Sequence, residues 1–399
     1  MAKFLFYCDV GGFGGHEIMA LLIMKEMIAD DIEIHFACID KNTRLLGEAG
    51  KIDRLQVHRL PFSLNRYNFL TNPLDFPKIG YLRRLLTKIE PDCIVAVQGN
   101  IDIASLIHHA AKREKIPVVT YIALAQTMTE LGVPWSRLRD AVHRRSFLRP
   151  DRFITIGESQ KRYLLRHGVP ESKIAIVPNV VPCNLSCNLD RLQARDQLGL
   201  DRDKTWFGLV GRVFAGHKGH DYLLSAVKAH KERFASIRFL IVGDGPDLDR
   251  IKSQVATEEL GSFFSFQPWT GAMNTVYSAL DAVLMPSNHE GVPLVMIEAV
   301  LCGRPVVSSA IDGMKDYLPA EWLFPRGDID LMTERIISMA STDQTAFCAA
   351  VTEQFREVFL RPTIGAEFLR ELRAVWGEEP ANGVTLSSGA ADKGEKPCG

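Results

Sequence analysis

Apolar residues come in short dense runs, separated by longer stretches in which they recur every three or four positions. In the first half the runs Phe4–Cys8, Ile32–Cys38, Leu55–Leu60, Cys93–Val97, Val118–Ile122, Phe153–Ile156 and Ile174–Val177 predict strands. Amphipathic stretches such as Glu17–Ile28, Ile101–Arg113 and Ser159–His167 predict helices between them. Pro178 to Asn188, rich in proline and asparagine, interrupts the rhythm and reads as a linker. The alternation then restarts. Trp206–Val210, Phe239–Val242, Phe263–Phe266, Ala282–Met285 and Val306–Ser308 predict strands, and Tyr222–Phe234, Leu248–Thr257, Leu294–Leu301 and Met332–Met339 predict helices. Alternating strands and helices mean α/β domains with mainly parallel sheets, here two Rossmann-like halves over residues 1–182 and 189–360.

Beyond them, Thr363–Trp376, in the segment 361–377, carries Phe368, Leu369, Leu372, Val375 and Trp376 on one helical face. Such a face needs cover, and the N-terminal half is the candidate. Residues 378–399 hold almost no apolar side chains and are expected to be disordered.

The bulk numbers narrow the class. With 399 residues, 46% hydrophobic and 24% charged, both halves can bury a core. A net charge of -1 gives no electrostatic case for nucleic-acid binding. No apolar run approaches the roughly 20 residues of a membrane span, and the N-terminus runs straight into a strand, so a cytoplasmic chain is expected. Cys8, Cys38 and Cys93 lie in strand-like runs, where a thiol acts as a small hydrophobe. Cys183 and Cys187 are not spaced as C-x-x-C and lack a second ligand pair, so reduced thiols are expected rather than a zinc site.

Candidate chemistry sits where glycine meets charge. Val10-Gly11-Gly12-Phe13-Gly14-Gly15-His16-Glu17 links a strand to a helix. Its glycines allow close backbone approach, and the helix start offers free N–H groups to an anion. The run is not G-x-G-x-x-G, because Glu17 stands where the last glycine belongs, and no Lys-Ser/Thr follows to make a Walker A loop. Gly211-Arg212-Val213-Phe214-Ala215-Gly216-His217-Lys218-Gly219 follows another strand and puts two cations at its carboxyl end, which suits a diphosphate. In the third place, Pro286 to Ala299, Glu290 precedes a helix that Pro293 can open. The N–H groups near Gly291 and Val292 can then face a ligand. Glu298 lies eight residues on, about 12 Å along a helix axis, among apolar neighbours that a carboxylate rarely joins without a partner.

These residues resemble the retaining glycosyltransferases of family 4, with the GT-B fold. The resemblance rests on Glu290, seven residues, then Glu298, together with Val-Gly-Arg-Val-Phe…His-Lys-Gly, Ile241-Val242-Gly243-Asp244-Gly245-Pro246, Gly303-Arg304-Pro305-Val306-Val307 and Gly327-Asp328. It implies that Arg212 and Lys218 hold the diphosphate of a UDP- or GDP-sugar. It implies that Glu290 contacts the transferring sugar and Glu298 the ribose. Gly14 and Gly15 would bring backbone to the phosphates, and Gln267-Pro268-Trp269-Thr270 would lie beside the base. The reaction implied is transfer to a saccharide or lipid-linked hydroxyl with retention, without a cofactor or metal. Asp247-Leu248-Asp249 formally reads D-x-D but opens a helix, where acids suit the N-terminal end.

The chain departs from the family in having no histidine within Val118–Ile122 or Ala96–Asn100, and in reading Asp312-Gly313-Met314-Lys315-Asp316 where Gly-Gly-x-x-Glu is common. His16, Gln98, Asn100 and Tyr121 are the acceptor-side substitutes. Alternatives remain at this stage: a GT-B nucleotide-sugar epimerase, a dead binding protein, or an NAD-dependent oxidoreductase using the first glycine loop with Asp40 as ribose acceptor. Finally, Trp135 to Arg149 is the most basic stretch and is amphipathic. It reads either as an ordinary packed helix or as peripheral contact with an anionic inner-membrane face.

Overall fold

The computed structural model describes residues 1–29, 31–62, 68–181, 187, 189–361 and 364–377. Its N-terminal sheet has seven parallel strands, β1 (Ala2–Cys8), β2 (Ile32–Ile39), β3 (Gln56–Leu60), β4 (Cys93–Asn100), β5 (Val118–Leu124), β6 (Arg152–Thr155) and β7 (Ile174–Ile176). Their order is β3-β2-β1-β4-β5-β6-β7. The second sheet, also parallel, has six: β8 (Thr205–Val210), β9 (Ile237–Val242), β10 (Phe264–Gln267), β11 (Ala282–Met285), β12 (Val306–Ser309) and β13 (Leu323–Phe324), in the order β10-β9-β8-β11-β12-β13. In each sheet the winding reverses beside the first strand, between β1 and β4 and between β8 and β11. A crevice opens at the carboxyl ends of such a switch point. The glycine loop follows β1, the Arg212 loop follows β8 and the Glu290 loop follows β11, so chain order alone carries all three to switch points.

The helix expected over Ile101–Arg113 runs from Ser105 to Glu114. Ile101–Ala104 are instead a turn in which Ala104 takes a left-handed φ of 59° and donates its N–H to Asp9 Oδ1 at 3.0 Å. The stretch Tyr222–Phe234 is a helix over His220–Ala229 followed by a 3-10 turn, Lys231–Phe234. Pattern reading passed over the helices Phe76–Ile89 and Thr345–Phe359 and the two-residue β13, which is too short to show a period.

The expected linker is partly structural. Asn179 is buried, and Val181 donates its N–H to Phe359 O at 3.2 Å. Cys183, like the rest of 182–186 and the tail 378–399, lies outside the described residues. Cys187 is disulfide-bonded to Cys302, at the end of the helix Leu294–Leu301, with Cα atoms 5.4 Å apart. This corrects the expectation that all cysteines are reduced. Residues 115 positions apart are brought together by the fold, a proximity that spacing along the chain does not reveal. Cys8, Cys38, Cys93 and Cys348 are free and buried.

The helix Ile364–Trp376 crosses back onto Gly15–Met27. Phe368 stacks on Phe6 and meets Tyr121 edge-on, with centroids 6.0 and 5.5 Å apart, while Trp376 meets Phe4 at 6.0 Å. Glu26 accepts from Gly365 N at 2.9 Å, and Arg152 pairs with Glu371 at 2.5 Å. This helix thereby covers the core beside β1 and the Gly15–Met27 helix.

Candidate functional site

Glycine makes the C-terminal half of the site possible. Gly219 has φ 70°, and a Cβ there would fall 1.9 Å from Pro286 O, so only glycine lets the loop after β8 lie on the loop after β11. Asn288 reinforces the contact, donating its N–H to His217 O (2.8 Å) and its amide to Gly216 O (3.0 Å), and accepting from Tyr222 Oη (3.0 Å). Between these loops Lys218 Nζ lies 2.5 Å from Glu290 Oε1, and Ser287 donates to the same oxygen at 2.8 Å. Glu290 is only 6% exposed. Burial opposes its ionisation, but Lys218, His217 and Ser287 together outweigh that and hold its carboxyl below the usual range. Lys218 and Arg212 both line one small cavity at the ends of β8 and β11, with Pro286 and Ser287.

Arg212 also reaches the other half, since a Cβ on Gly12 would sit 3.0 Å from its Nη1. The first glycine loop is pinned from behind by Asn42, whose amide donates to Val10 O and Gly12 O at 2.9 and 2.6 Å. Gly14 gives its N–H to Glu17 at 2.8 Å, so that donor is already committed. Gly15 and His16 begin the helix, whose first N–H groups have no partner within it. Glu17 is buried, and burial raises its pKa to about 7, against the lowering effect of nearby backbone N–H groups and Arg212.

Gly15 faces Leu294 at the start of the Leu294–Leu301 helix. Gly291 is wedged against Ala123 O and Ile156, and a Cβ on Gly313 would fall 1.9 Å from Gly291 O. Buried Val292 packs beside Gly157, and its carbonyl accepts from Asn179 Nδ2 at 2.6 Å. The altered segment Asp312–Asp316 serves the interface between the halves. Asp312 accepts from Tyr163 Oη (2.9 Å) and Gln126, and Asp316 accepts from Ser159 N (3.0 Å) and Arg162 (3.0 Å).

The remaining candidates separate. Glu298 lies deeper along its helix, accepting from Tyr277 Oη at 2.6 Å, and burial raises its pKa. Pro268 and Trp269 are exposed beyond the end of β10. Trp269 is covered by Arg44, whose guanidinium carbon lies 4.0 Å from its ring centroid and 4.7 Å from that of Phe13. His16 stacks on Tyr121 with centroids 4.4 Å apart, and burial lowers its pKa to about 4. Tyr121 donates to Asn179 Oδ1 at 3.4 Å. Gln98 turns inward to Ile103 O, and Asn100 caps its own turn by accepting from Asp102 N at 3.0 Å. Gln98 and Asn100 thus serve the β4 turn, while His16 and Tyr121 form one stack beside the interface. Asp247 accepts from Ala215 N at 2.8 Å and so braces the Arg212 loop.

Sequence reasoning missed Arg44, Asn179 and Asp9. Arg44 reads as one more exposed charge, and Asn179 as linker composition. Asp9 stands before the glycine loop, and its burial raises its pKa to about 6. No local pattern distinguishes any of them.

Known proteins match both halves of the chain. A family model described as Glycosyl transferases group 1 matches residues 204–342, and one described as Glycosyltransferase Family 4 matches residues 13–185. An uncharacterized glycosyltransferase of Haemophilus influenzae is 23% identical over 76% of this chain and 79% of its own length. A 2-deoxystreptamine N-acetyl-D-glucosaminyltransferase of Streptomyces fradiae is 35% identical, but over 37% of this chain and only 36% of its own length. Among solved structures, Anabaena HepE in complex with UDP and glucose has a TM-score of 0.74, covering 94% of this chain and 100% of that one at 19% identity, a likeness of fold. With a glycosyltransferase model matched in each half and two parallel-sheet domains of the same architecture, this chain is a glycosyltransferase of the GT-B type.

Proposed function

We propose that the protein transfers a sugar from a nucleoside-diphosphate sugar to an acceptor hydroxyl with retention at the anomeric carbon. The observation that carries this reading is the Lys218–Glu290 pair, 2.5 Å apart at the β8/β11 switch point, with Arg212 lining the same cavity and extending to Gly12. In this reading Arg212 and Lys218 bind the diphosphate, one by a planar fork and one as a point charge. The first N–H groups of the Gly15–Met27 and Leu294–Leu301 helices face the same charge. Glu290, held ionised, accepts from sugar hydroxyls, and Glu298 accepts from the ribose, exchanging its bond to Tyr277. Trp269 and Pro268 flank the base. That HepE is described in complex with UDP and glucose supports a UDP-type donor.

The step breaks the bond from the anomeric carbon to the diphosphate oxygen, and the electron pair leaves with the diphosphate. The acceptor oxygen bonds to the anomeric carbon on the same face, and its proton passes to the departing diphosphate. Fixed cations and helix ends stabilise the negative charge that develops, which is where preorganised electrostatics contributes most.

The test is a screen of nucleotides by thermal shift, then sugar transfer from the donor whose diphosphate stabilises the chain, with the anomeric configuration of product read by NMR. Stabilisation by UDP or GDP and a product of the donor's configuration support the reading. An inverted product overturns retention, and a response to NAD alone overturns the donor class.

A further inference from the structure

We propose that His220 is a further donor-binding residue, whose Nδ1 donates a hydrogen bond to one oxygen of the donor's diphosphate in the cavity at the ends of β8 and β11. This rests on the transferase reading above and adds to it a neutral contact beside the two cations.

The first observation is a buried nitrogen without a partner. His220 is 3% exposed, and its Nδ1 is buried with no hydrogen-bond partner among the described residues. Buried polar atoms are nearly always hydrogen-bonded, because leaving one unpaired forfeits its hydration for nothing. A wholly apolar side chain would fill this place without that cost, so the nitrogen calls for an occupant beside it.

The second observation is where His220 lies. It lines the same small cavity as Arg212 and Lys218, with Pro286 and Ser287 on the other wall. The cavity leaves about 20 Å³ for water centres, and roughly 10–15 Å³ holds one water. It therefore admits an oxygen atom and excludes a whole phosphate group. Glu290, the carboxylate at this place, is already engaged by Lys218 and Ser287. With two cations on the walls, the favoured occupant is an oxygen that carries negative charge. Burial, then the charge of Lys218, lowers the pKa of His220 to about 4, so the imidazole is neutral at pH 7. A third full charge so close to Arg212 and Lys218 would be repelled, whereas a neutral N–H is not. The tautomer with its proton on Nδ1 is the donor required.

The third observation is how the chain brings His220 there. Lys218 ends the short helix Ala215–Lys218, and His220 opens the helix His220–Ala229. Within one continuous helix, residues two apart do not face each other. Gly219 stands between them with φ 70°, and this left-handed turn lets both neighbours line one cavity. The glycine that seats the Arg212 loop on Pro286 O thus also sets Lys218 and His220 side by side.

The experiment is calorimetric titration of UDP and of GDP into the full-length parent, His220→Phe and His220→Asn, with urea midpoints for all three. Phenylalanine keeps a ring and removes the nitrogen; asparagine places an amide nitrogen near the position of Nδ1. His220→Phe should bind the preferred diphosphate about tenfold more weakly or worse, and His220→Asn should regain most of that loss. In parent chain labelled with nitrogen-15 histidine, the signals that vanish in His220→Asn belong to His220. In the nucleotide complex its Nδ1 should carry a proton, a signature that a merely structural histidine would not show. If His220→Phe does not fold, the asparagine variant and the labelled parent still decide the matter. The inference is overturned if folded His220→Phe binds the diphosphate as tightly as the parent, the result expected when the cavity holds only water. It is overturned too if Nδ1 is unprotonated in the complex, or if folded His220→Asn binds as weakly as His220→Phe. Should neither nucleotide bind the parent, the transferase reading falls with it; should the parent bind and transfer sugar while His220→Phe is unchanged, this inference falls alone.

Discussion

The two sides of the cleft are built on different terms. On the C-terminal side the chemistry-bearing side chains already touch: Lys218 meets Glu290, Ser287 shares the same carboxylate oxygen, and Asn288 ties both loops together. On the N-terminal side the polar side chains are absorbed by their own half. Gln98 and Asn100 close the β4 turn, His16 is stacked and kept neutral by burial, and Tyr121 answers Asn179. On the proposed reading, a loop that holds a charged donor keeps its charges paired and largely buried at a strand end, whereas a wall that faces the acceptor relies on shape more than on fixed charge.

That contrast can be broken most directly at Lys218. Lys218→Ala should lower turnover about a hundredfold or more, the scale expected for loss of one preorganised group facing a developing charge, while Asn100→Ala should leave it within a fewfold. Steady-state transfer assays on the two variants decide it, and equal losses would erase the distinction. The next effect is on stability. Folding raises the pKa of Glu17 from 4.5 to about 7. The associated stability is fully present below pH 4.5 and is lost as pH rises through about 7. Relative to Glu17→Gln, the parent should lose about 3 kcal/mol over that window, read by denaturant unfolding at a series of pH values. A parallel pH dependence in both proteins would mean that Glu17 is not buried as an acid.

Asn179 joins the two sides, so it sharpens the comparison from the interface. Asn179→Ala strands the Val292 carbonyl and the Tyr121 hydroxyl and should destabilise the fold by about 2 kcal/mol, measurable by urea midpoint. The smallest effect is expected at Arg44, which lies between Phe13 of one half and Trp269 of the other. Loss of that stacking in Arg44→Ala is worth about 1 kcal/mol. It should raise the KM for donor about fivefold and leave kcat nearly unchanged, because Arg44 stands at the edge of the site and away from the reacting bond.

What the sequence by itself determined is considerable. All twelve strand runs recognised from their apolar blocks are strands of the structure, because a central strand buried under helices on both faces is apolar nearly throughout and so stands out locally; the edge strand β3, Gln-Val-His-Arg-Leu, is the exception. The Arg212, Lys218 and Glu290 loops were legible for a related reason: glycine beside charge immediately after an apolar run marks a strand end in such a sheet. Tertiary structure alone decided the rest. The Cys187–Cys302 bond, the seat of Ile364–Trp376 on Gly15–Met27, the Asn179 bridge and the Arg44 sandwich each join residues far apart along the chain. Their partners are selected by how whole domains pack, and neither periodicity nor composition near either residue carries that information. Gln98 and Asn100 are different: their partners, Ile103 O and Asp102 N, are close neighbours along the chain, and the pattern missed them because it read a helix from Ile101 where the chain turns before Ser105.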